Sequence, residues 1–207
     1  AEFITRAGTL SGFTHLIDNQ DAAAMSLATY GIRWQGQIAR EGQPSFAYFA
    51  EYAHQTDYGN NPGSFDLGLF RAQASVAHDG LSAALGIENL EGNGVRGFAT
   101  PLATLHAYQG WADVFLGTPA TGLRDLYVRG GWTASEPPFG QGLSAALVYH
   151  SFDAQSGGGD LGSEWDAVLT SRLTDTIALE LKGAFYNGPT GGPADRSKIW
   201  LALTISY

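Results

Sequence analysis

The chain has 207 residues, a net charge of -9 and no cysteine. This excludes disulfide staples, thiolate metal sites and a cysteine nucleophile, and it argues against nucleic acid, whose phosphates need a basic surface. Charged residues make up only 15%, below the roughly 25% of a soluble domain. No run of about 20 apolar residues offers a spanning helix, whereas a chain of alternating strands can cross a membrane and still look this mild, because half of each strand faces a polar interior. The opening carries neither an initiator Met nor a leader, so we expect a chain that starts after processing or partway through a longer protein.

Period-two alternation recurs in ten segments, at 3–17, 24–40, 45–56, 65–77, 81–88, 123–134, 141–152, 163–173, 176–186 and 197–207. In the second, Ala28, Tyr30, Ile32, Trp34 and Ile38 share one face, and Thr29, Arg33, Gln35 and Gln37 the other. In the eighth, Trp165, Ala167 and Leu169 oppose Glu164, Asp166, Thr170 and Arg172. In the ninth, Ile177, Leu179, Leu181 and Phe185 oppose Glu180 and Lys182. The last is the clearest, with Ile199, Leu201, Leu203, Ile205 and Tyr207 on one apolar face.

Alternation alone does not say whether the apolar face turns inward, as in a soluble barrel, or outward to lipid. Three features favour lipid. The connections alternate in length: 18–23, 57–64, 89–122, 153–162 and 187–196 are long, while 41–44, 78–80, 135–140 and 174–175 are short. Long external loops and short periplasmic turns on an even number of strands require this pattern. Aromatic residues fall on the apolar faces, several near strand ends: Tyr30, Trp34, Phe46, Tyr52, Trp132, Tyr149, Trp165, Phe185 and Tyr207. Interfacial girdles predict that placement. An alternating last strand with a terminal aromatic is similar to the strand that outer-membrane assembly machinery recognises. The expected fold is all-β: an antiparallel up-and-down transmembrane β-barrel of about 10 strands (8–12 if the chain closes alone). It would form one domain over 1–207 with a long loop inserted at 89–122. Its expected setting is the outer membrane of a Gram-negative bacterium, against lipid and lipopolysaccharide.

Two stretches are unlike generic barrel sequence: Thr100 to Leu116 (TPLATLHAYQGWADVFL) and Thr118 to Tyr127 (TPATGLRDLY). With Glu51-Tyr52-Ala53, Gln55, Asp57-Tyr58-Gly59, Tyr149-His150 and Gly162-Ser163-Glu164, they resemble proteobacterial outer-membrane proteins grouped with the alginate export family. The match runs from about residue 25 onward. The resemblance implies a larger single-chain barrel with a basic lumen for an anionic polysaccharide. This chain departs from it in being about half the expected length and in its mixed inward charge. Arg33, Arg71, Arg129, Arg172 and Lys182 stand against Glu51, Glu88, Asp125, Glu164, Asp166 and Glu180.

In a barrel this narrow such charges read as a salt-bridge network filling the interior, or as the walls of a narrow polar path. The loop at 89–122 is the strongest functional candidate, since long unstructured connections are often functional. Leu102, Leu105, Ala112, Phe115 and Leu116 would form one side of a short helix bracketed by Pro101 and Pro119. Folded inward, the loop would constrict the pore with His106, Gln109, Trp111 and Asp113; the alternative packs it over the barrel mouth. His150 with Asp153, or His106 with Asp113, is the only material for a catalytic dyad. No serine sits in a nucleophile elbow and no pair of histidines has metal-ligand spacing, so we expect no enzyme, no cofactor and no metal. Asp18, Asp21, Asp57, Asp153, Asp160 and Asp195 read as turn residues rather than cation ligands.

The leading expectation is a porin-like channel for passive passage of small polar solutes or saccharides. The alternative is a structural or interaction barrel with a plugged lumen; a soluble ligand-binding barrel or a membrane-barrel hydrolase ranks lower. The sequence is compatible with a chain that closes alone, with an oligomer, and with the C-terminal part of a longer barrel.

Overall fold

The structure, a computed structural model, describes residues 1–5, 7–101 and 108–206. Eleven strands follow in chain order: β1 (Glu2–Thr5), β2 (Gly8–Ile17), β3 (Leu27–Ile38), β4 (Ser45–Asp57), β5 (Asp66–His78), β6 (Leu81–Leu90), β7 (Leu123–Thr133), β8 (Gly142–Asp153), β9 (Asp160–Arg172), β10 (Ile177–Asn187) and β11 (Arg196–Ile205). Each pairs antiparallel with the next, in one up-and-down sheet. Among the described residues the only helical element is a single 3-10 turn at Ala23–Met25, where the sequence reading begins its second strand.

Nine of the ten expected segments become one strand each. The first splits in two, because Thr5 pairs with Gly8 in a tight hairpin. Gly8 takes φ 130, and a Cβ there would lie 2.2 Å from the Gln35 carbonyl oxygen of β3, so glycine is needed where β2 leaves the turn beside β3. The described residues therefore form eleven strands, one more than the ten segments and within the expected 8–12. An odd count makes β1 and β11 run in the same direction, where the expected even number would have opposed them.

Short connections close one end of the sheet and long ones the other, with two adjustments. Residues 134–141 form a longer turn than expected, and β9 begins early at Asp160, leaving 154–159 as a short loop after an irregularity at Phe152/Asp153. The tightest hairpin, at Asp79 (φ 48) and Gly80 (φ 77), is the Asp-Gly turn whose twist matches paired strands.

The burial pattern is inverted relative to a soluble protein. The large side chains of the apolar faces are exposed along the sheet, among them Ile32 on β3, Leu147 on β8 and Leu201 on β11 at 57%, 48% and 73%. On the opposite face Asp125, Glu164 and Asp166 are fully covered. The exposed face carries the aromatics that the alternation places there. Tyr52 and Phe70 are cross-strand partners, and Tyr149, Trp165 and Phe185 line up across β8, β9 and β10. Trp34 packs against Tyr48 at 5.0 Å. Tyr207 lies outside the described residues.

The apolar core sits on the covered face at the long-loop end. Leu27, Ala53, Leu67, Leu69 and Leu90 pack under Phe65 and Phe98. Leu123, Phe152, Ala184 and Tyr186 pack under Ala112 and Phe115. Phe98, Ala112 and Phe115 all come from the long β6–β7 connection, residues 91–122, so this loop lies against the covered face of the sheet.

Candidate pore interior

Register places every charged strand residue singled out above on the covered face. Arg33, Glu51, Arg71, Glu88 and Asp125 are successive cross-strand partners over β3 to β7. Neighbours in such a row stand close enough for direct pairing. Arg33 donates from Nε to Glu51 at 2.6 Å, and Arg71 donates to the other Glu51 oxygen at 2.5 Å. Glu51 is only 4% exposed and serves both guanidinium groups; Arg71 also approaches Glu88 at 3.9 Å. The Arg71 guanidinium lies 4.8 Å from the Tyr108 ring, a cation–π contact from wall to loop.

A second cluster occupies β7 to β9. His150 Nδ1 lies 2.9 Å from Asp125, and its Nε2 is 3.6 Å from Asp166. Both ring nitrogens therefore face carboxylates. The conceivable dyad with Asp153 is not formed; Asp153 accepts from Arg124 at 3.0 Å instead. An exposed strand-end arginine holds Asp153 at the rim, while Asp125 is the carboxylate that the register brings beside His150.

The loop is fastened to the wall at two places. At its start, Gln55 on β4, fully buried, donates to the Ala99 carbonyl at 2.8 Å and accepts the Ala99 N–H at 2.9 Å. It also donates to Thr29. A side-chain amide thus satisfies both backbone groups of one loop residue, as a neighbouring strand would. Further along, Glu164 accepts the Ala112 N–H at 2.6 Å and Asp166 accepts the Trp111 N–H at 3.1 Å. Gln109 donates to Glu88. From β11, Arg196 donates to the carbonyls of Ala112 and Asp113, and Lys198 pairs with Asp113 at 2.5 Å. Lys182 stands 5.2 Å from the Trp111 ring and 5.0 Å from that of Trp200.

The short helix expected here is absent from the described part of the loop. Gln109 (φ 55), Gly110 (φ 80) and Asp113 (φ 57) are left-handed, which breaks helical continuity and turns successive N–H groups toward the carboxylates. Gly110 is the least replaceable of them, since a Cβ there would fall 2.6 Å from the Glu164 carboxyl carbon. Ala112 and Phe115 are buried as the amphipathic reading expects, but Leu116 is 53% exposed. Leu102, Leu105 and His106 lie outside the described residues.

Gln109, Trp111, Asp113, Arg33, Glu51, Arg71, Asp125, Glu164, Asp166 and Lys182 thus belong to one contact system of wall and loop. Arg129, Arg172 and Glu180 share the face but lie nearer the short turns, and among the described residues they join none of these pairs. The sequence reading passed over Gln55, Arg196 and Lys198. Parity was the available signal: with Ile199 and Leu201 outward, Arg196, Lys198 and Trp200 must point inward. Three of the loop acids serve turns, Asp57 accepting the Phe65 N–H, Asp160 the Gly162 N–H and Asp195 the Gly188 N–H, whereas Asp153 pairs with Arg124. Among the described residues no group of three or more ligand-type side chains is placed to hold a metal ion.

No family model and no curated protein matches the sequence, so the likeness to the alginate export family is not shown. Solved structures do match. OccK5 (OpdH) of Pseudomonas aeruginosa superimposes with a TM-score of 0.69 at 13% identity, over 100% of this chain and 57% of its own. OpdL of the same organism gives 0.66 at 16% identity, over 97% and 56%. OccK10 (OpdN) of P. aeruginosa gives 0.58 at 16% identity, over 86% and 52%. The chain therefore spans a little over half the length of these proteins. At such identities the likeness is one of fold, and the fold is that of the OccK/Opd outer-membrane porins.

Proposed function

We propose that this chain forms the wall and inner loop of a porin-like channel in a Gram-negative outer membrane, passing small polar solutes passively. The observation that carries the reading is the inverted sheet with a loop laid across its polar face. Exposed apolar side chains suit lipid, while covered, ion-paired carboxylates and guanidiniums suit an interior. The fold shared with outer-membrane porins supports the same location. In this reading residues 91–122 narrow the passage, with Gln109, Trp111 and Asp113 on the constricting segment. A saccharide conduit of the alginate type would need a basic lumen, and the pairing of Arg33, Arg71 and Lys198 with acids gives that substrate no support.

A second reading, a structural barrel with a filled lumen, draws on the sealed contacts of Glu164, Asp166 and Arg196 with the loop. Single-channel conductance of the refolded protein in a planar bilayer separates the two, measured beside a variant lacking residues 100–116. Steady current that rises on deletion supports the channel. A variant and parent that are both silent, though folded by circular dichroism, overturn it in favour of the filled barrel. No catalytic function is proposed, since both nitrogens of His150 face carboxylates and leave no position for activating a nucleophile.

A further inference from the structure

The loop does not divide the interior evenly. Over β7 to β10 it closes the wall: Asp125, Phe152, Glu164, Asp166 and Ala184 are all at 0% exposure beneath or beside it. Over β2 and the β3 stretch from Arg33 to Gln35 the wall stays open, while Leu27 and Thr29 at the long-loop end of β3 are buried. The Arg33 side chain is 40% exposed, and His15 and Gln35 are exposed as well. A cavity of about 560 Å³ lies between these strands and the loop. It reaches Ser11, Thr29 and Arg33 on the wall and Tyr108, Phe115 and Leu116 on the loop, and every residue lining it comes from β1 to β6 or from the β6–β7 connection. None comes from β7 to β11.

We infer that solutes pass on one side of the loop only, between it and β2–β3, and that Ser11, Arg33 and Gln35 are polar side chains they meet on the way. This rests on the channel reading above. The two sides differ in what passage would break. Along β7 to β10 a solute would have to separate the Ala112 and Trp111 N–H groups from Glu164 and Asp166, leaving buried carboxylates without donors, a costly exchange. It would also have to break the Lys198–Asp113 pair. Along β2–β3 it enters a space already present. Arg33 is suited to the open side because Glu51, buried behind it, fixes the guanidinium through Nε and one terminal nitrogen while the rest of the group faces the cavity. Of the residues expected to line a pore, Glu164 and Asp166 then hold the loop in place, Asp125 holds His150 and Arg33 contacts the solute.

The absence of cysteine makes the test direct. Ser11→Cys and Gln35→Cys report the open side and Ala184→Cys the closed one. Each folded variant is exposed to a small cationic methanethiosulfonate and followed by mass and by single-channel current. The expected result is rapid, complete labelling of the first two with a stepwise loss of current, and protection of Ala184→Cys until the protein is denatured. Labelling of Ala184→Cys in the folded protein at the rate of Gln35→Cys overturns the one-sided path. So does unchanged current after full labelling at positions 11 and 35. A parent protein that folds but carries no current fails the channel reading itself, and the labelling pattern by mass keeps that outcome distinct. A variant that does not fold is replaced by His15→Cys on the open side or Phe152→Cys on the closed one, read by the same mass assay.

Discussion

Leu147→Arg is the substitution that most directly tests which side of the sheet meets lipid. Leu147 sits on β8, five residues from one end and six from the other, on the exposed face at 48%. Its cross-strand neighbours on that face are Gly130 and Ala167, small enough that an arginine meets no steric barrier. Five residues at about 3.3 Å each place it roughly 16 Å along the strand from the nearer end. A tilt of about 40° reduces this to some 13 Å along the membrane normal, close to half of the roughly 25 Å apolar band of such barrels. From that depth an arginine can only partly reach the interface.

The expected cost is about 2–4 kcal/mol, or roughly a 30- to 1,000-fold loss in the folding equilibrium at 1.36 kcal/mol per decade. Leu81→Arg supplies the comparison. Leu81 is 61% exposed on the same face but opens β6 beside the tight turn, where the cost falls to about 0–1 kcal/mol. Urea titration in lipid vesicles, followed by tryptophan fluorescence, measures both. A water-facing sheet would tolerate either change within about 0.5 kcal/mol. Equal midpoints for Leu147→Arg and Leu81→Arg would refute the placement of this face in the bilayer.

Three further outcomes follow from the interior. Glu51→Gln leaves Arg33 and Arg71 without their shared carboxylate and should cost about 3–5 kcal/mol, whereas Arg33→Gln, at a side chain 40% exposed, should cost less than about 1 kcal/mol; the same urea titration reads the asymmetry. Gln55→Ala orphans the N–H and C=O of Ala99 at about 1–3 kcal/mol each, a local loss that should appear as faster proteolytic nicking within 91–122 while the sheet keeps its circular dichroism. Gly110→Ala puts a methyl group against Glu164 and at φ 80, at a cost of about 1–3 kcal/mol, and should accelerate hydrogen exchange at the Ala112 N–H.

The strands were legible because an exposed apolar face and a covered polar face impose a two-residue period, and nothing in the tertiary fold has to override it. Trp165 and Glu164, or Leu181 and Lys182, sit on opposite faces in the structure as they do in the alternation. The first hairpin was not legible, since the apolar alternation runs on across it and only Gly8 marks the reversal. The loop conformation was harder still. Ala112 and Phe115 have helical spacing, yet their burial comes from docking on Leu123, Phe152 and Tyr186, and the chain reaches that position through left-handed residues that an amphipathic pattern does not record. Which charges would pair was readable in part. Arg33, Glu51 and Arg71 follow from strand parity and register, while the pairing of His150 with Asp125 rather than Asp153 depends on the β7–β8 register, which sets Asp125 against Phe152 and Asp153 against Arg124.

The way the loop is held separates its position from its surface. The bonds at Ala99, Trp111 and Ala112 run from loop main chain to wall side chains, and Arg196 reaches loop carbonyls in the same manner. Acceptors on a hydrogen-bonded sheet are fixed before the loop arrives, so docking orders fewer side chains than a set of loop side-chain contacts would. What the loop itself must supply is a backbone that can turn at Gly110 and apolar side chains at Ala112 and Phe115. Tyr108 and Leu116, 43% and 53% exposed, carry no bond that seats the main chain, and they face the cavity beside Arg33. Exchanging these two should therefore alter what passes while leaving the loop seated, whereas changes at Gln55, Glu164 or Gly110, which hold or shape the loop main chain, should alter how wide the path is.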